Sequence, residues 1–305
     1  MKTIISIFMI IFFPFLIAGI IRRVKSLWGG RKGPSLIQPF FDFSRLMKKS
    51  EVISRTVSPV FLIAPSASLA AIICAAMLVP MAGKNAILSF DGDFIMFCYL
   101  LALSKFLLVI SAMDTGSSFE GMGSSREVTF SGMAEPGFFI IMGSFAWISG
   151  CKSFTAIFQG IYNSGPASGL LILLSVIGIF IMLLTEGGRL PVDDPETHLE
   201  LTMIHEVMVL DNSGPDLGFI FYAAALKVFL IAALIASLVT PTGVGLVPGI
   251  VLFSVFLAAE AIFIGFLESV SARLRMTHVP QFVFLLTALA VIIFFIVMLE
   301  LGKKL

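Results

Sequence analysis

Charge is scarce in this 305-residue chain. Only 13% of its residues are Asp, Glu, Lys or Arg, against 58% hydrophobic. Soluble domains carry about 25% charged residues, so a water-soluble globule is excluded. Cysteine is equally sparse. Cys74, Cys98 and Cys151 have no CxxC spacing, whereas an iron–sulfur cluster needs four thiolates from a recognisable run. They read as small buried hydrophobes, and any electron carrier is expected on another chain. There are three histidines and no HExxH pair, so no helical metal site is expected. No internal repeat is visible, which argues against the repeat-built secondary transporters. The net charge of +1 gives no grounds for a nucleic-acid partner, and none is expected.

What the chain does have is long apolar runs. Spanning the hydrocarbon layer takes about 20 such residues. Eight segments qualify, at roughly 3–21, 57–82, 94–113, 128–150, 168–186, 218–240, 246–267 and 280–301. The runs are continuous and do not alternate, which excludes a membrane barrel. The expected fold is an all-α integral membrane protein, one multi-pass domain over 1–305. Its elaborate loops lie at about 22–56, 114–127, 187–217 and 268–279. The first segment ends in Ile-Arg-Arg without a small-residue cleavage site and reads as a retained helix.

Lys and Arg orient the chain. Of the 20, 13 fall in the loops after the odd-numbered segments, five lie on the opposite side, and Lys105 and Lys227 are inside segments. The positive-inside rule therefore places those loops in the cytoplasm and both termini outside, in the cell's inner membrane.

The first loop contains QPFFDFSRLMKK. Pro39 opens an amphipathic helix, Phe40, Phe43, Leu46 and Met47 facing one way and Asp42, Arg45, Lys48 and Lys49 the other. Such a helix either anchors to anionic lipid or forms the lip of a cavity. The second loop, MDTGSSFEGMGSSRE, reads as a turn-rich connector packed on another protein; no Lys follows its glycines as in a phosphate-binding loop.

The third, EGGRLPVDDPETHLELTMIHE, holds six of the 19 acidic residues, with Asp211 and Asp216 just beyond. Asp194 before Pro195 suits a helix start, predicting a helix to about Leu210. On its wheel Glu196, Glu200, Met203 and Val207 share one side and His198, Thr202, His205 and Glu206 the other. Carboxylates four apart repel, so if Glu196 and Glu200 are buried, one holds its proton. His198 and His205 are expected to hydrogen-bond to a partner subunit.

Ionisable groups inside a membrane are costly and rare without a partner or a task. Here they are Lys105, Glu135, Lys227 and Glu260, with Glu127 and Glu186 expected at the ends of their helices. Two readings stand: the lysines neutralise two acids structurally, or the groups form a protonatable chain entering from the acidic loop.

Three motifs in order carry a resemblance. RKGPSLIQPFFDFSRLMKK, then DTGSSFEGMGSSRE with Glu-Pro eight residues on, then EGGRLPVDDPETHLELTMIHEVMVLDNSGP resemble the subunit 1 family of respiratory complex I over essentially the whole chain. The Thr-His-Leu-Glu-Leu-Thr-Met stretch followed by His-Glu looks closer to the membrane-bound NiFe hydrogenases of the formate hydrogenlyase and hydrogenase-4 type. The resemblance implies a non-catalytic anchor without a cofactor of its own. It would dock a NiFe-hydrogenase-like large subunit and a 4Fe–4S small subunit, so the NiFe centre and clusters sit in partners, and it would adjoin antiporter-like membrane subunits.

The resemblance further implies a polar path toward ion-translocating subunits through Glu127, Glu135, Glu186, Asp193, Asp194, Glu196, Glu200 and Glu206; the residue reading adds Lys105, Lys227 and Glu260 to it. Arg31, Lys32, Asp114, Arg126, Arg189, His198 and His205 are the candidates for partner docking. Quinone-reducing relatives carry Phe-Asp-Leu after Arg-x-Pro, where this chain has Val192-Asp193-Asp194-Pro195. That departure argues against a quinone site. A quinone-binding subunit remains the alternative within the family, and a stand-alone channel or transporter the alternative outside it.

Overall fold

The structure is a computed structural model that describes residues 2–82, 85–162, 167–194, 203–240 and 245–302. Every regular element among them is helical. The long helices are α1 (Lys2–Trp28), α3 (Pro59–Leu78), α4 (Asp93–Asp114), α5 (Ser118–Ser149), α7 (Ser168–Glu186), α8 (Gly214–Val239), α9 (Leu246–Val270) and α10 (Val279–Gly302). Two short ones, α2 (Gln38–Leu46) and α6 (Phe154–Ile161), lie in the connections after α1 and α5. Seven helices are individually long and apolar enough to cross a membrane, and the pair α5–α6, bent by 65°, is a candidate for an eighth. All eight expected segments fall on these helices. Several run past the boundaries read from hydropathy, because a helix carries its polar ends beyond the hydrocarbon.

α8 is the hub. It packs against α1, α2, α3, α7 and α9 and is mostly buried. Every residue from Leu226 to Leu238 is buried, as expected of a helix apolar on all sides. Alanines such as Ala232, Ala233 and Ala236 let neighbouring backbones approach, which is how helices associate where water drives nothing. Around it, α3 pairs with α4, α1 with α9, and α5 and α7 with α10. α1 and α9 approach closely at Gly265, where a Cβ would fall 2.9 Å from the Ile21 carbonyl oxygen on α1.

One correction concerns the second loop. Only residues 115–117 separate α4 from α5, and the Gly/Ser stretch 118–127 is the start of a 32-residue helix. Gly123 serves contact and not turning: a Cβ there would collide with Val207 and lie 2.9 Å from the Ile204 carbonyl oxygen. Glu127 therefore sits inside α5, and only Glu186 ends its helix as expected. A second correction concerns the acidic loop. Residues 195–202, with Glu196, His198 and Glu200, lie outside the described residues. Beyond them the chain is no α-helix but a single 3-10 turn, Glu206–Val209, seated on α4 and α5.

The connections on the α2 side are tied together. Asp114 accepts from the Ser58 N–H at 2.6 Å, Ser213 exchanges hydrogen bonds with Val52, and the Leu274 N–H donates to the Pro191 carbonyl at 2.9 Å. On the opposite side, fully buried Asp93 accepts from the Phe154 N–H at 2.7 Å and so fixes α6 to α4. Leaving that buried donor unpaired costs about 1–3 kcal/mol. Asp93→Ala should lower resistance to denaturant unfolding in detergent by that amount, and an unchanged midpoint would show that the cap contributes nothing.

Candidate functional site

The amphipathic helix α2 lies at the mouth of a cavity of about 430 Å³. An aromatic box holds it there: Phe15 of α1 stacks on Tyr222 of α8 at 4.9 Å and meets Phe40 and Phe43 of α2 at 5.5 and 5.6 Å. Of the two roles open to this helix, the lip is the one its position fits. Arg22, Asp42, Arg45 and Lys49 rim the opening, and Lys105, Glu127, Glu186, Arg189, His205 and Lys227 line the cavity further in.

Lys105, Glu186 and Lys227 form a network with Glu135. Lys105 of α4 reaches Glu186 at 2.9 Å and Glu135 at 2.8 Å, and it also donates to Ser131. Lys227 of α8 stands 3.8 Å from the other Glu186 oxygen, which accepts no hydrogen bond among the described residues. Lys105 is 8% exposed and Glu186 2%. Charges so placed are tolerated only when opposite charges meet them at short range. The expected neutralisation of acids by the two lysines is thus present in the geometry.

His205 joins Glu127 of α5 to the loop above. Its Nε2 lies 3.1 Å from Glu127 Oε2, and its Nδ1 lies 3.2 Å from Asp193 Oδ2. Asp193, 2% exposed, also accepts from the N–H groups of Ile204, His205 and Asp194 and is met by Arg273 at 2.9 Å. Burial opposes a charged imidazole. The Glu127 carboxylate and the hydrogen bond to Asp193 outweigh it and raise the His205 pKa from 6.5 to about 9. Burial likewise favours a neutral Asp193, yet the hydrogen bond and charge of His205 hold its pKa below the usual 3.8.

A further cluster centres on Glu268. Lys25 contacts Asp194 at 3.3 Å and Glu268 at 3.8 Å, and Arg189 contacts Glu268 at 3.3 Å.

Of the residues expected on the path, Lys105, Glu135, Glu186 and Lys227 come together in one network, Glu127 and Asp193 meet at His205, and Asp194 joins the Glu268 cluster through Lys25. Glu206 borders the cavity. Glu260 stands apart on α9 with a buried oxygen that has no hydrogen-bond partner among the described residues. Several docking candidates turn inward and are corrected here. His205 and Arg189 serve the buried clusters, because their cationic groups compensate carboxylates that water cannot reach. Arg126 donates to the Met203 carbonyl at 3.0 Å and holds the 203–209 segment on α5. Asp114 caps the start of α3. Arg31 and Lys32 are exposed and remain available to a partner.

Sequence reasoning missed Glu268, Lys25, Arg273 and Glu120. The signal existed for two of them. Lys25 continues the buried Ile17, Ile21 step of α1, and Glu268 continues the buried Leu257, Ala261, Ile264 face of α9, but both helices were ended too early. Glu120, fully buried, accepts from Thr115 and from the Asp211 N–H and pins the chain after the 3-10 turn to α5.

Long apolar helices around an internally paired acid–base network define a multi-pass membrane protein. The family model described as NADH dehydrogenase matches residues 1–299, and the chain belongs to that family. It is 29% identical to hydrogenase-4 component C of Escherichia coli over 228 residues, 75% of this chain and 71% of that one. It is 26% identical to formate hydrogenlyase subunit 4 of the same organism over 273 residues, 87% and 88% of the two chains. Among solved structures, a chain of the membrane-bound sulfane sulfur reductase, an archaeal respiratory membrane complex, superposes with a TM-score of 0.83 at 22% identity and covers 97% of each chain.

The raised His205 pKa fixes the sign of a pH effect. A group that holds its proton more tightly when folded stabilises fully below its unfolded pKa and loses that contribution as pH rises through the folded one. The solubilised protein should therefore lose thermal stability between pH 6.5 and about 9. His205→Phe should flatten this slope; a slope unchanged by the substitution would place the titration elsewhere.

Proposed function

We propose that the chain is the membrane anchor and coupling subunit of a membrane-bound hydrogenase of the formate hydrogenlyase or hydrogenase-4 type. It holds a redox arm against its α2 face and passes changes of charge state inward. The observation that carries this reading is the unbroken set of contacts from Asp193 through His205 to Glu127, beside the Lys227–Glu186–Lys105–Glu135 chain. The full-length similarity to formate hydrogenlyase subunit 4 supports the branch. On this reading the arm comprises a NiFe-bearing large subunit and a 4Fe–4S small subunit, and antiporter-like subunits adjoin the helical bundle. The basic face, with Arg31 and Lys32 exposed, lies in the cytoplasm, and both termini lie outside.

Mechanistically, the buried groups have coupled titrations. A change of charge or protonation in the arm above Asp193 alters the field on its carboxylate. The ion pairs below respond by redistributing protons or counter-charge among Glu127, Glu186 and Glu135. Replacing Glu135 by Gln in the whole complex should leave it assembled and lower the ions translocated per turnover severalfold. Normal translocation in that variant would remove the path from the account.

The cavity favours a second reading, a quinone-binding subunit of a complex I-type oxidoreductase. Its volume of about 430 Å³ is in the range of small-molecule sites, and Phe15, Phe43, Phe221 and Tyr222 offer an amphiphile an apolar wall. Activity assayed on the purified complex with hydrogen and with a quinone as separate partners separates the two readings. A stand-alone channel would instead transport ions as the isolated chain.

A further inference from the structure

We propose that His205 and Glu127 are a proton-exchange pair that carries one positive charge between the acidic loop and the intramembrane network. This deepens the coupling role proposed above and depends on it. Among the described residues, ion pairs link the carboxylates of Glu127, Glu135, Glu186 and Asp193 to His205 and to the fixed cations Lys105, Lys227 and Arg273. An imidazolium at His205 adds a positive charge to them, and unlike the Lys and Arg cations it can lose a proton near neutral pH.

The geometry brings the two exchanging atoms together. His205 Nε2 is 3.1 Å from Glu127 Oε2 but out of line for a hydrogen bond, and it is shielded from solvent. A small rotation of the ring would align it. In the exchange the Nε2–H bond breaks and an Oε2–H bond forms on Glu127. The electron pair of the broken bond stays on the ring, leaving a neutral imidazole protonated at Nδ1 and facing Asp193, with no oxidation or reduction. Asp193 thereby loses a neighbouring cation, and Lys105 and Lys227 lose a neighbouring anion. One unit of positive charge has moved from the loop into the membrane.

The surroundings make this contact sensitive to the loop. The ring lies against the backbone of Gly188 at φ +57°, where an added Cβ would fall 2.5 Å from Nδ1. Charged groups facing the pair come from every packed element: Lys105 on α4, Arg126 on α5, Arg189 and Asp193 after α7, Glu206 in the 3-10 turn, Lys227 on α8 and Arg273 before α10. A change of field at Asp193 therefore reaches the ring directly, and through it Glu127.

The test uses the whole purified complex in three forms: native, His205→Lys and His205→Gln. Lysine keeps a fixed positive charge between the two carboxylates but holds its proton at neutral pH. If the pair exchanges a proton, the Lys variant assembles yet loses ion translocation per turnover severalfold, as does Gln. Native translocation by the Lys variant would reduce His205 to a structural cation and overturn the proposal.

Histidine-labelled infrared difference spectra between oxidised and reduced complex give a second readout. An imidazolium band that changes with redox state and vanishes in His205→Gln supports the pair even in a complex that translocates no ions. Translocation with no such band sinks the pair and leaves the coupling role standing. Gly188→Ala, which displaces the ring without removing it, should weaken the band if alignment controls exchange; an undiminished band would refute that control.

Discussion

An ionised carboxylate in a membrane is stabilised by a cation within a few ångströms, and the charged clusters around Glu186 and Glu268 follow from that requirement. The cost of removing a charge from water is several kcal/mol even after relaxation, far more than one helix contact returns. Lys105 and Lys227 meet Glu186 from two helices, while Lys25 and Arg189 meet Glu268 from two directions. These pairs join α1, α4, α7, α8 and α9 at fixed depth and register, a specificity that apolar packing between smooth helices does not supply. Similar pairings hold the acidic loop, His205 meeting Glu127 of α5 and Arg273 of the α9–α10 connection meeting Asp193.

Packing and electrostatics divide the work between the two sides of the molecule. Away from the α2 face the core is apolar and close-packed, with Phe97, Phe138, Phe145 and Phe154 fully buried and Asp93 fixing the bend between α5 and α6. Toward the α2 face the helices part around a cavity rimmed by basic groups and charged further in. A redox partner seated there would sense that inner charge through a short polar gap. Such a cavity keeps its ion pairs mutually coupled, because little water screens them.

Much of this was legible in the sequence, for clear physical reasons. Each apolar run is long enough to declare a span, and the intramembrane Lys105, Glu135 and Lys227 declare a network because nothing else justifies their insertion cost. The lip helix α2 was visible in the alternation of Phe and basic residues after Pro39. The error at 118–127 came from reading glycine and serine as turn formers, when between packed helices they are the small residues that permit contact, as Gly123 does beneath Val207 and Ile204. His205 was misread because a wheel assigns faces only to a helix, and the chain at 203–205 is irregular, leading into the 3-10 turn Glu206–Val209 with its orientation set by Asp193 and Arg126. Glu268 and Lys25 escaped because hydropathy ends a helix where charge begins, although the helical repeat of buried positions continues through both.

The account's central claim is that these buried charges exist as compensated pairs, and a double-mutant cycle on Lys105 and Glu186 tests it most directly. Lys105→Met, Glu186→Leu and the double substitution would be compared by thermal stability of the assembled complex. Compensation predicts that each single change strands a buried charge and that the double change costs clearly less than the two singles added together. Strict additivity would mean that the two groups do not hold each other in the membrane, and the account would be wrong.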